Sequence, residues 1–205
     1  MPVDILNRSV QNCRMARLVE FDVSKAQDKA LVLFWRKGYQ ATSLADLLEA
    51  MGIGRSSFYA AFGDKRSLFL ACLDLFGKRT KDLLLRARSD MPPLDLLQNF
   101  FERQFVGSAA SKAQWGCMLV NTVLELADVD AELSARASGH LVDMQAHFEQ
   151  CLLDAGCAAE QATEMAALLM LVNEGVRVSN RRKLTPQQQR APIETTFRLL
   201  RSAIA

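Results

Sequence analysis

Residues that break helices are scarce. The 205-residue chain holds 10 glycines and 5 prolines, roughly 7% against the usual ~12%, which excludes collagen-like, low-complexity and disordered chains. Neither sign of charge dominates: 25 basic residues face 23 acidic ones, too small an excess to advertise a partner by itself. The five cysteines, at 13, 72, 117, 151 and 157, are odd in number and include no CxxC pair. That argues against a disulfide framework or a zinc ribbon and for a reducing compartment. Long apolar runs are missing as well. The longest, Met165 to Val172, falls far short of the ~20 residues needed to cross a bilayer. The first twenty residues carry Asp4, Arg8, Arg14, Arg17 and Glu20 without a signal-like apolar stretch, so the expected location is cytoplasmic and no membrane partner is expected. No P-loop, GxSxG or HExxH string is present, so no enzyme activity and no cofactor are expected. His140, Met144, His147 and Cys151 share a helical spacing, but ~10 Å of helical rise between the histidines is too long for one ion, and no metal is expected.

Helical periodicity is what the chain has instead. Apolar residues recur three and four apart in Ala26, Ala30, Leu33 and Phe34, again in Leu44, Leu47, Leu48 and Met51, and in Leu168, Leu171, Val172 and Val176, while no segment alternates with period two. Breaks at Gly38, Gly52 with Gly54, Gly63, Pro92-Pro93, 107–114, 127–130, Gly156 and Thr185-Pro186 divide it into about nine helices. The fold class is therefore all-α. Two pieces are short, Ser43 to Met51 and Arg55 to Phe62, joined by Gly52-Ile53-Gly54, which is the pattern of a helix-turn-helix. From Asp64 onward the expected helices run to roughly 17 to 26 residues, as in bundles. The positive excess sits with the short helices: residues 1–66 hold ten lysines and arginines against seven acids, the remainder fifteen against sixteen. These shifts suggest a helix-turn-helix domain ending at residue 66 and a helical bundle over 67–205.

The chemistry of the short pair suits DNA. Thr42 or Ser43 can cap its first helix and offer free amides to a phosphate, while Arg55, Ser56, Ser57 and Tyr59 are residue types that reach base edges and phosphates. The alternative is a capped helical hairpin within a plain bundle. The strings Gly38-Tyr39-Gln40-Ala41-Thr42-Ser43, Met51-Gly52-Ile53-Gly54-Arg55-Ser56-Ser57-Phe58-Tyr59 and Phe62-Gly63-Asp64-Lys65-Arg66-Ser67-Leu68-Phe69 closely resemble the DNA-binding domain of the tetracycline-repressor (TetR) family. The resemblance spans about 50 residues, from Lys25 to Leu75. It implies phosphate contacts at Thr42 and Ser43, a recognition helix carrying Arg55, Ser56, Ser57 and Tyr59, and a phosphate-binding Lys65. Met15 to Asp22 resembles the family's opening, which implies an N-terminal arm or extension over 1–20 and a DNA-binding domain over 21–66, with Arg17 a candidate for the minor groove and residues 1–14 an upstream extension. Two departures are Gly54, where many relatives place a capping serine, and Ala60-Ala61, where bulkier groups add contacts.

The resemblance further implies that the rest of the chain binds a small-molecule effector and forms a homodimer on a palindromic double-stranded operator. Asn121 and Glu125 lie four apart on an otherwise apolar stretch and are candidate polar contacts within an effector cavity; the alternative is that they face solvent or bind a neighbouring helix. Phe105, Trp115, Cys117, Met118 and Asn173 complete the expected ligand-binding set. Gly116-Cys117 also resembles a subset of the family whose cysteine senses electrophiles, and a helix start lowers a thiol pKa; inert packing is the alternative. Leu168, Leu171, Val172 and Gly175, with Ile193, Phe197 and Leu200, are the expected dimer interface, against an intramolecular core. A ligand-released repressor is the resulting expectation, with a redox switch through Cys117 or a protein-interaction module as alternatives.

Overall fold

The computed structural model describes residues 21–85, 91–106, 115–180, 182 and 184–204. Arg17 and the rest of the expected arm lie outside the described residues, as does the predicted break at 107–114. Among the described residues there are nine helices and no strand: α1 (Val23–Lys37), α2 (Leu44–Met51), α3 (Arg55–Phe62), α4 (Lys65–Leu85), α5 (Pro93–Phe105), α6 (Met118–Leu126), α7 (Ala131–Asp154), α8 (Ala159–Asn180) and α9 (Pro186–Ile204). Two are shorter than the bundle lengths expected from sequence. α5 has 13 residues, starting at Pro93 behind Pro92, and α6 has 9, starting after Gly116 at φ 73°.

Local chemistry sets the ends of the short helices. Ser43 caps α2 in a reciprocal box: its hydroxyl accepts from the Asp46 amide, and the Asp46 carboxylate accepts from the Ser43 amide at 2.7 Å. Such a cap contributes about 1 kcal/mol. α2 then ends at Gly52 in the left-handed region, φ 73°, a conformation that costs glycine little.

Two apolar clusters hold the molecule together. One joins α1 to α4 with α6 and the start of α7, through Phe34, Leu47, Phe58, Phe69, Leu119 and Leu133. The other joins the end of α4 with α5, α7, α8 and α9, through Leu84, Phe101, Phe148, Leu169 and Phe197. α4 and α7 run through both clusters. The helices that flank the short pair, α1 and α4, are thus packed on α6 and α7 rather than standing alone.

Candidate nucleic-acid interface

α3 buries Phe58 completely and turns its opposite side to solvent. Arg55 and Ser56 are exposed, Ser57 is half-buried, and Tyr59 is 47% exposed with its ring edge-on to Phe58. Gly54 stands at the N-cap without a side-chain hydrogen bond, as the sequence departure implied. Arg55, Ser56 and Tyr59 therefore share the presented side of an eight-residue helix, with the half-buried Ser57 at its edge.

The flanking positions divide. Ser43 is exposed at the α2 N-terminus, but Thr42 is wholly buried, its hydroxyl donating to the Gly38 carbonyl at 2.6 Å. The expected Thr42 side-chain phosphate contact is corrected: that hydroxyl closes the α1–α2 turn. Lys65 begins α4 and places its ammonium 4.3 Å from the centroid of the Tyr39 ring. Partial burial lowers its pKa, opposed by the charges of Glu125 and Asp46. Among the described residues no carboxylate forms an ion pair with it, so its three donors remain for an incoming anion. Beside it, Lys37 and Asp46 pair at 2.6 Å; that hydrogen bond and those from Ser43 hold the Asp46 carboxyl well below the ordinary range.

Behind the interface, three links tie the short helices to the bundle. The Glu125 carboxylate of α6 accepts from the Tyr39 amide at 3.0 Å and the Gln40 amide at 2.7 Å. Gly38, at φ 88°, permits this approach, since a Cβ there would stand 2.9 Å from that carboxylate. Glu125 is therefore corrected from an expected effector contact to a clamp on the α1–α2 turn. Arg66 of α4 makes a two-point bond to Asp130 at 2.9 and 3.0 Å and reaches Glu132 at 2.7 Å. The indole of Trp35 donates to the Gly116 carbonyl at 3.1 Å.

The rest of the expected effector set is scattered. Trp115 packs edge-on against Trp35, and Asn121 donates to the Trp115 carbonyl at 2.7 Å, so both brace the α6 entry. Cys117 and Met118 are buried in the N-terminal cluster at 1% and 2% exposure. Burial on that scale is the setting of a packed thiol, the alternative the sequence left open for Cys117. Phe105 and Asn173 instead lie in the C-terminal half and share a neighbour that the sequence reading missed, the buried Arg177. Its signal was available: Asn173 and Arg177 stand four apart within an apolar helix. Of the expected dimer residues, Leu168, Leu171 and Gly175 are exposed and Val172 is half-buried. Ile193, Phe197 and Leu200 are corrected: at 0%, 0% and 4% exposure they fill the protomer's own core, because α9 turns its apolar stripe onto α5.

Comparison with known proteins decides the family. Residues 28–72 match the description "Bacterial regulatory proteins, tetR family", and residues 93–190 match "Transcriptional regulator LmrA/YxaF-like, C-terminal domain". The chain belongs to the TetR family. As such it is a DNA-binding transcriptional regulator. The HTH-type transcriptional repressor ComR of Escherichia coli is 28% identical over 189 residues, covering 87% of this chain and 89% of ComR. The fold is that of a TetR-family regulator from Cytophaga hutchinsonii, with a TM-score of 0.76 at 18% identity over 89% of this chain and 97% of the other. A cysteine mutant of the TetR-family regulator CifR, solved with 26bp double-strand operator DNA, aligns with a TM-score of 0.73 at 26% identity, covering 89% of this chain and 98% of that one. The helix-turn-helix of this TetR-family chain thus has its base-reading candidates on α3 and its phosphate-binding candidates at Ser43 and Lys65. No described helix is long and apolar enough to cross a membrane.

Proposed function

We propose that this TetR-family regulator is a cytoplasmic repressor that binds a palindromic operator as a homodimer and is released by a small molecule held in its helical core. The observation that carries the reading is the presented face of α3, where Arg55, Ser56, Ser57 and Tyr59 project from a helix anchored by the buried Phe58. Each residue type suits the major groove and its phosphates. One eight-residue helix makes too few contacts for an operator, and two-fold pairing doubles them at one-turn spacing. The exposed leucines of α8 supply a surface for that pairing.

Release follows from the three links behind the interface. Effector binding that favours one placement of α6 or α7 displaces Glu125 and Asp130, and with them the α1–α2 turn and α4. The two recognition helices then lose the separation that fits successive grooves, and operator affinity falls. A coupling of about 1–3 kcal/mol gives roughly 5- to 150-fold relief.

The test is a fluorescence titration of the full chain against DNA from upstream of its own gene, with scrambled DNA and a salt series alongside. A preference of about 10³ or more over scrambled DNA is expected. Equal, weak binding to both at every salt concentration refutes specific recognition of that DNA. Specific binding that no small molecule relieves refutes the release half alone.

A further inference from the structure

α8 packs Ala162, Ala166, Leu169, Met170 and Val176 into the C-terminal cluster, yet two polar residues share that buried face and several apolar ones do not. Leu168, Leu171 and Val178 face outward at 53%, 66% and 56% exposure, while Asn173 and Arg177, one turn apart, are buried at 0% and 5%. The Arg177 guanidinium lies 5.0 Å from the centroid of the Phe105 ring, and its Nε donates to Asn173 Oδ1 at 3.3 Å. Its Nη2 is buried and has no hydrogen-bond partner, and among the described residues no carboxylate forms an ion pair with it.

That is an unfinished environment for a cation. Arginine is almost never fully buried unless paired, because the attraction of a counter-charge and a full set of hydrogen bonds must offset desolvation. One long neutral hydrogen bond and an aromatic face do not supply either. The sequence that follows Phe105 holds no counter-charge either: residues 106–124 contain no aspartate or glutamate. Asn173 is similarly under-used, its Nδ2 facing only the Met144 sulfur at 3.9 Å, a weak acceptor. Two buried donors on neighbouring side chains thus lack a good acceptor.

Met144 joins this pair to open space. It lines a cavity of about 270 Å3 between α4, α5 and α7, with Thr80, Leu84 and Phe100 also on its wall. Lys78 and Lys81 line it too and are exposed, so they attract anions. Of its two acids, Asp74 is already occupied by Arg136 at 3.2 Å and His140 at 2.8 Å, and Asp143 is exposed to solvent. Arg177, Asn173 and Phe105 do not themselves line the cavity; methionine is unbranched and adaptable, and a shift of Met144 would open the cavity toward Asn173, which holds the Arg177 Nε.

We infer that Arg177 and Asn173, backed by Phe105, form the head-group subsite for a small organic carboxylate whose apolar body occupies the cavity at Met144. The guanidinium takes a carboxylate through paired donors in a fixed plane, and stacking on Phe105 sets that plane. Asn173 donates its freed amide to the second lone pairs. The inference rests on the ligand-release reading and names the effector's class within it: a monoanion with an apolar body, rather than a cation or a neutral lipid.

The experiment measures binding of benzoate, phenylacetate and hexanoate to the full chain without DNA, by calorimetry and thermal shift. Benzamide and hexanamide are the neutral controls and acetate the control without an apolar body. At least one of the three carboxylates is expected to bind about tenfold or more tighter than its control amide and than acetate. Arg177→Met, of similar length and apolar, is expected to erase that preference. Arg177→Lys, which keeps the charge without the fork, is expected to weaken it and serves if the first variant fails to fold. Equal binding of acids and amides, no binding by any of the three acids, or a preference that survives Arg177→Met and Arg177→Lys overturns the inference. Because DNA is absent, anion binding that fails to release an operator leaves this site standing and refutes only the release mechanism.

Discussion

Glu125 illustrates how a single carboxylate changes meaning once its neighbours are known. On α6 it interrupts an apolar stretch, which reads from sequence as a polar contact inside a cavity. Its oxygens instead accept the Tyr39 and Gln40 amides of a turn 85 residues earlier, a pairing that no local spacing encodes. Removing it strands the part-buried Tyr39 amide and frees the exposed Gln40 amide to water, so Glu125→Ala should cost about 1 kcal/mol, read as a lower urea midpoint with an unchanged slope; an unaltered midpoint would discard the clamp. Lys65 makes the complementary case. The resemblance placed it at the phosphate backbone, and its ammonium stands over Tyr39 with no carboxylate pairing among the described residues. Lys65→Ala should weaken binding to operator and scrambled DNA alike and reduce the slope of log affinity against log salt by about one. A slope that does not move would take Lys65 out of the interface.

At the scale of elements, the short helices were legible because their ends are decided within a few residues. Ser43 with Asp46, Gly52 and Gly63 stop and start α2 and α3 where the sequence breaks stand. The packing faces of α8 and α9 were not legible, since a periodic apolar stripe does not say which neighbour it meets. α9 spends Ile193, Phe197 and Leu200 on its own protomer, whereas α8 turns Leu168 and Leu171 outward and buries Arg177. α7 is the element that connects the two halves. Its 24 residues extend about 36 Å, from the Asp130 cap bound by Arg66 to Met144 beside Asn173 and beyond. The Arg66 guanidinium first, and then the Leu133 amide, bring the Asp130 carboxyl down to about 2. A carboxyl lowered in the folded state stabilises it fully above the ordinary value near 3.8, and the contribution disappears as pH falls through about 2. Asp130→Asn should therefore be less stable than the parent at pH 5 and converge on it toward pH 2. Parallel denaturation profiles across that window would show that the latch carries no proton linkage.

The whole molecule poses a problem of geometry that one protomer cannot solve. The proposed two-fold reading of an operator needs two α3 helices at fixed separation, while the protomer's surface leaves Leu168, Leu171 and Val178 of α8 and Leu199 of α9 at 53–66% exposure. Exposed leucines in a stripe are costly to leave in water and mark an interface. They cannot be serving the protomer's own fold, because the clusters around Phe101 and Phe197 close without them. A charge placed on the stripe should therefore act on assembly rather than on folding. Leu171→Glu should convert a dimer of twice the 22.8 kDa chain mass to a monomer in sedimentation, with the helical circular dichroism preserved. Specific operator affinity should fall steeply with it, since half the contacts and the fixed spacing are lost together, while the non-specific, salt-dependent component persists. A variant that remains dimeric and keeps its operator affinity would move the interface, and with it the spacing of the two recognition helices, away from α8.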